Sequence, residues 1–231
     1  LSNNQNKSTT KNALLLQIPN RDVLIKLFMN LPNLLTLSRI PLMLLVIALL
    51  YPSSESTYQW VRTSALLLFL FAALTDWLDG WLARKIGQVS EFGKFMDALA
   101  DKVLTLGMFI SLLVLDEIGK WALFPVLLIL SRELLITGLR LVASAKGKIL
   151  AAEKVGKLKT VIQLSCICLF LGKIALEDDF GEIISGPLHQ DLIHYLLLSG
   201  RITLIIATII TVLSGIVYLS KYWNLLIEDN D

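Results

Sequence analysis

Apolar residues dominate this chain in long blocks, and polar residues fall between the blocks or gather at their ends. The blocks run from about Asn33 to Leu50, Trp60 to Ala83, Lys94 to Leu115, Trp121 to Ala145, Leu158 to Leu176, and Tyr195 or Ile202 to Tyr222. Several are long enough for a helix crossing the ~30 Å hydrocarbon layer, which takes about 20 residues. Pro32 stands just before the first block, where proline suits a helix start, and Tyr51-Pro52 closes it. The pattern predicts an all-α, polytopic membrane protein with six transmembrane helices.

The rest of the chain divides around these blocks. Residues 1–20 are polar and low in complexity and read as a disordered tail. The Leu14-Leu15-Leu16 run is too short for a signal-peptide core. Residues 21–31 mix Val23, Leu24, Leu27 and Phe28 with Arg21 and Lys26, so they suit either a short interfacial amphipathic helix or a linker. Residues 32–223 form one membrane domain, and 224–231 an acidic tail.

A content of 55% hydrophobic residues and a positive mean hydropathy exclude an ordinary soluble domain. The net charge of +2 matters less than its distribution. Lys7, Lys11, Arg21 and Lys26 precede the first block. Arg84, Lys85 and Lys94 lie between the second and third, and Lys146, Lys148, Lys154, Lys157 and Lys159 lie around the fourth-to-fifth loop. The alternate loops are poor in Lys and Arg, which predicts both termini in the cytoplasm. Cys166 and Cys168 point apart at i,i+2 on a helix and cannot bridge.

Chemistry concentrates between Asp76 and Asp101. The stretch reads Asp76-x-x-Asp79-Gly80-x-x-Ala83-Arg84, then eight residues, then Gly93-x-x-x-Asp97-x-x-x-Asp101. On helices, Asp76/Asp79 and Asp97/Asp101 each share a face. Four carboxylates at a membrane boundary repel one another and are costly to desolvate, and divalent cations relieve both problems. Carboxylate oxygens favour Mg²⁺ or Mn²⁺, which leave positions for substrate phosphates. Gly80 and Ala83 permit close ligand approach, and Arg84 suits phosphate oxygens. A solvated helix end capped by Asp76 would explain one pair; it explains two pairs with Arg84 between them poorly.

A second constellation is Arg132, Glu133, Arg140, Lys154, Lys157 and Lys159. Arg132 and Arg140 are about two turns apart and fall on nearly one face. Two guanidiniums with lysines suit a phosphate monoester. An Arg132–Glu133 ion-pair network and ordinary inside-positive loop charge are the competing explanations. Arg39, inside the first block, is a further cation requiring a partner, a phosphate or the headgroup layer.

The acidic stretch resembles the signature of the CDP-alcohol phosphatidyltransferase family, matching all eight fixed positions. Asn33-x-x-Thr36-x-x-Arg39, Arg132-Glu133 with Gly138-x-Arg140, and Gly156-Lys157-x-Lys159-Thr160 with Gln163 are similar to the bacterial glycerol-phosphate branch of that family. The resemblance implies a six-helix enzyme, usually a homodimer, with a polar cavity facing the cytoplasm. It implies transfer of a phosphatidyl group from CDP-diacylglycerol to sn-glycerol 3-phosphate, releasing CMP, in phosphatidylglycerol and cardiolipin biosynthesis. By the same resemblance, Asp76, Asp79, Asp97 and Asp101 hold Mg²⁺ or Mn²⁺, and Asp101 is the general base. Gly80, Ala83 and Arg84, with Asn33 and Thr36, bind the CDP-lipid. Arg132, Arg140 and Lys157 bind the acceptor phosphate. No nucleic-acid partner is implied. The expected location is a bacterial plasma membrane, with a plastid or mitochondrial inner membrane also open.

Two other functions stay open on the sequence. One is a related transferase using inositol phosphate, phosphatidylglycerol or serine as acceptor. The other is a cation transporter, which the clustering of acids at one end of the blocks disfavours.

Overall fold

A computed structural model describes residues 31–51, 60–86, 91–145, 154–181, 183–184 and 186–222. Side chains at 31–37, 76–86, 91–98, 101, 145 and 154–157 lie outside the described set. So do the expected N-terminal tail, the 21–31 segment up to Leu31, and the acidic tail.

Among the described residues, six α-helices follow the six blocks: α1 Leu31–Leu50, α2 Val61–Ile86, α3 Glu91–Val114, α4 Leu123–Ala145, α5 Lys154–Asp178 and α6 Pro187–Tyr222. A 3₁₀ turn at Lys120–Ala122 leads into α4. No strand occurs among the described residues. Most boundaries fall within a few residues of the hydropathy pattern.

The start of α6 differs: it begins at Pro187, ahead of Tyr195 or Ile202. Its opening turns carry His189, Gln190 and Asp191, so hydropathy alone starts the helix too late. Gly186, with φ at +136°, opens the turn, and its carbonyl accepts from His189 N at 3.2 Å. Pro187 at the first helical position forfeits only an N–H that has no intrahelical partner there. The His189 ring then lies 2.9 Å from the carbonyl of Leu176, fastening α6 to the end of α5.

The helices close a ring in the order α1, α2, α5, α6, α4, α3, with α3 also touching α5 across the middle. Successive helices run in opposite directions, and contacts at one end show this. Arg62, at the start of α2, donates to Asp178 Oδ2 at the end of α5 (2.8 Å) and to the Leu49 carbonyl at the end of α1 (2.8 Å). Asp179 accepts the backbone N–H groups of Arg62 (3.4 Å) and Thr63 (2.6 Å), capping α2. Trp60 and Phe180 meet edge to face at 4.9 Å. Lys173 on α5 pairs with Glu117, beyond α3, at 2.9 Å, and with Glu177.

The core is apolar and close-packed. Val46, Phe69, Phe109, Leu112, Ile129, Ile167, Phe170 and Leu204 are buried in one cluster. Small residues let helices approach, as expected where van der Waals contact rather than water exclusion drives packing. At the α1–α3 crossing a Cβ on Gly107 would run into Met43 Sδ.

The outside is apolar as well. Phe124 is 73% exposed, Val114 62% and Leu67 61%, and similar residues cover every helix. A soluble monomer rarely exposes contiguous apolar surface beyond a few hundred Å², whereas lipid accepts it. Three helices are long and apolar enough to cross a membrane: Lys120–Ser144, Leu158–Asp178 and Pro187–Tyr222. In the other three the described apolar stretches are shorter: Ser38–Leu50, Val61–Thr75 and Lys102–Val114.

Candidate active site

The alternating directions bring six helix ends together opposite the Arg62 clasp: the starts of α1, α3 and α5, and the ends of α2, α4 and α6. Among the described residues, the candidate site residues lie toward this end or along the helices leading to it. Asn33 and Thr36 are in the first turns of α1. Asp76, Asp79, Gly80, Ala83 and Arg84 are in the last turns of α2. Asp97 and Asp101 are on α3, and Lys157 is in the first turn of α5. The side chains of these residues lie outside the described set. Their backbones are helical, so Asp76/Asp79 and Asp97/Asp101 keep the registers that place each pair on one face.

The basic constellation is described in atomic detail. Glu133, midway along α4, is only 6% exposed and stands at its centre. Lys159 of α5 donates to Glu133 Oε1. Arg132 Nη1 lies 3.3 Å from the same oxygen, and Lys102 Nζ of α3 lies 3.9 Å from Oε2. Three helices thus converge on one buried carboxylate. A buried carboxylate is costly unless paired, and the convergence supplies that pairing. The Arg132–Glu133 ion pair weighed from the sequence is therefore present, as one arm of a larger cluster.

Arg132 also reaches α6, where Nη2 donates to Ser214 Oγ at 2.9 Å. Arg140 lies two turns further along the same face. Its Nε donates to Tyr218 OH at 3.1 Å, and its guanidinium lies 5.3 Å from that ring's centre. Gln163 Nε2 donates to Thr211 Oγ1 at 3.1 Å, joining α5 to α6. Lys102, Thr105, Leu106, Glu133, Thr160 and Gln163 line a small cavity between α3, α4 and α5. Arg39, 1% exposed, is the largest fully buried side chain in the described part of α1. Among the described residues no three His, Cys, Asp or Glu side chains come together as a metal site.

Lys102, Thr105, Thr211, Ser214 and Tyr218 were not singled out in the sequence. A signal for Lys102 is its place directly after Asp101. The α6 residues leave a fainter one: Thr208, Thr211, Gly215 and Tyr218 are a small or polar stripe at helical spacing inside a very apolar helix. That stripe is buried, facing α4 and α5. A Cβ on Gly215 would stand 2.8 Å from Arg132 Cγ, so the missing side chain is what seats Arg132 against α6.

An all-helical bundle with an apolar exterior, two in-register aspartate pairs near one end and a basic cluster between its helices defines a class. The chain belongs to the CDP-alcohol phosphatidyltransferase family, which it matches over residues 29–213. It is 35% identical to the CDP-diacylglycerol–glycerol-3-phosphate 3-phosphatidyltransferase of Bacillus subtilis, over 87% of this chain and 99% of that one. The enzyme of the same name from Rickettsia typhi is 34% identical over 82% of this chain and 94% of its own. A probable phosphatidylglycerophosphate synthase of Mycobacterium tuberculosis is 34% identical over 83% of this chain and 81% of its own.

Proposed function

We propose that this protein transfers a phosphatidyl group from CDP-diacylglycerol to sn-glycerol 3-phosphate, giving phosphatidylglycerophosphate and CMP. The observation that carries the reading is the meeting of Lys102, Arg132 and Lys159 on helices α3, α4 and α5, with α3 also bearing Asp97 and Asp101. A phosphate-bearing acceptor needs such cations beside the acidic signature; serine does not. The names of the bacterial relatives support the same acceptor.

In this reading the CDP-lipid lies with its acyl chains in the bilayer and its diphosphate over the signature. Gly80 and Ala83 leave room for the nucleotide, Arg84 meets phosphate oxygens, and Asn33 and Thr36 of α1 complete the cleft. Arg132, Arg140 and Lys157 hold the acceptor phosphate, and Lys102 and Lys159 extend that set. Asp101 takes the proton from the 1-hydroxyl of glycerol 3-phosphate. The freed oxygen bonds to the β-phosphorus, the bond from that phosphorus to the bridging oxygen breaks, and CMP leaves with the electron pair. Positioning and electrostatic stabilisation carry most of such a displacement.

The oxygen-only donor set of Asp76, Asp79, Asp97 and Asp101, paired in register on two helices, fits a hard divalent cation. Mg²⁺ or Mn²⁺ bound there supplies charge neutralisation on the diphosphate and the departing nucleotide. All six helices span the bilayer in this account, with the polar end toward the cytoplasm and two copies forming a homodimer.

Asp101→Asn tests the assignment of the base. Turnover falls to background while CDP-diacylglycerol binding partly survives. Near-normal CMP release by that variant removes Asp101 from the role.

A further inference from the structure

We infer that Glu133 is a positioning residue for the acceptor site, fixing three cations that act on the acceptor phosphate. The inference rests on the acceptor-site reading above and adds a residue that need not touch substrate. Glu133 sits beside Arg132 in a helix that is mostly apolar, and it is buried. Its two oxygens divide the work: Oε1 takes Lys159 and Arg132, and Oε2 faces Lys102. Lysine and arginine side chains are long and rotamer-rich, so holding three in one arrangement is entropically costly. Near a membrane interface they otherwise extend toward the headgroups. The carboxylate opposes both tendencies and screens the cations from one another.

The geometry also links two parts of the site. Lys102 follows Asp101 directly on α3, so the Lys102–Glu133 contact sets α3 against α4 beside the acidic signature. Arg132 is held from its other side by Ser214 and by the space at Gly215. Glu133 therefore fixes the spacing between the phosphate-binding cations and the helix carrying the proposed base. Outer-shell partners that orient metal ligands contribute about 10- to 100-fold to affinity or activity, and an effect of the same order is expected here.

The test is steady-state CMP release by the full chain in detergent, varying each substrate in turn. In Glu133→Gln the KM for glycerol 3-phosphate rises about tenfold or more, while the KM for CDP-diacylglycerol stays within about twofold. Glu133→Asp recovers part of the loss. If Glu133→Gln does not fold, Glu133→Asp, which keeps the charge and shortens its reach to the three cations, gives a smaller rise confined to the same KM. A KM for glycerol 3-phosphate within twofold of the wild type overturns the inference. So does a fall in melting temperature that moves both KM values together, with no recovery in the aspartate variant. Failure of the wild type to use glycerol 3-phosphate overturns the acceptor reading itself, which is a separate result.

Discussion

At the scale of single residues, the site depends on what surrounds each charge. Arg132 is seated by an absence, the missing Cβ at Gly215, as much as by its bonds to Ser214 and Glu133. Gly215→Ala pushes a methyl group against the base of the Arg132 side chain. We expect the KM for glycerol 3-phosphate to rise roughly threefold to tenfold, since small misplacements of a binding group are expensive; kinetics with the acceptor varied check this. The four aspartates stood out in the sequence because their spacing is the helical repeat itself. Glu133 was visible as a charge with Arg132 as a candidate partner, but its pairing with Lys102 and Lys159 was not, since those come from other helices. Only the packing order of the helices brings those positions together.

At the scale of elements, hydropathy located the six helices because long apolar blocks announce themselves in composition. It mislocated the start of α6, where Gly186, Pro187 and His189 begin the helix in polar sequence. Which helix lies beside which was not legible: the ring order rests on side-chain fit, such as Gly107 against Met43, that no periodicity encodes. The Arg62 clasp is the element-level device at the end away from the site. Asp179 caps α2 there, and a cap of this kind contributes about 1 kcal/mol. In a chain of this size Asp179→Ala is expected to lower the melting temperature by about 2–4 °C. Both KM values should stay unchanged, because the clasp and the basic cluster occupy different ends of the ring. Thermal unfolding in detergent, paired with kinetics, measures the two effects separately.

At the scale of the whole molecule, the bundle gathers chemistry toward one end and leaves its outer surface apolar. The proposed orientation puts the loop between α1 and α2 outside the cell and the loop between α4 and α5 in the cytoplasm. In intact bacterial cells expressing the chain, an impermeant thiol reagent should label Glu55→Cys. It should label Ala151→Cys only after the cells are opened; the reverse pattern inverts the topology.

The central claim is transfer to a phosphorylated glycerol by an aspartate-dependent site. Its most direct test is CMP release by purified protein given CDP-diacylglycerol and Mg²⁺, with glycerol 3-phosphate, inositol 1-phosphate or serine as acceptor. Release is expected with glycerol 3-phosphate alone and is abolished in Asp97→Ala. Release with another acceptor instead would contradict the assignment of Arg132 and its neighbours. No release with any acceptor by folded protein would contradict the transferase reading altogether.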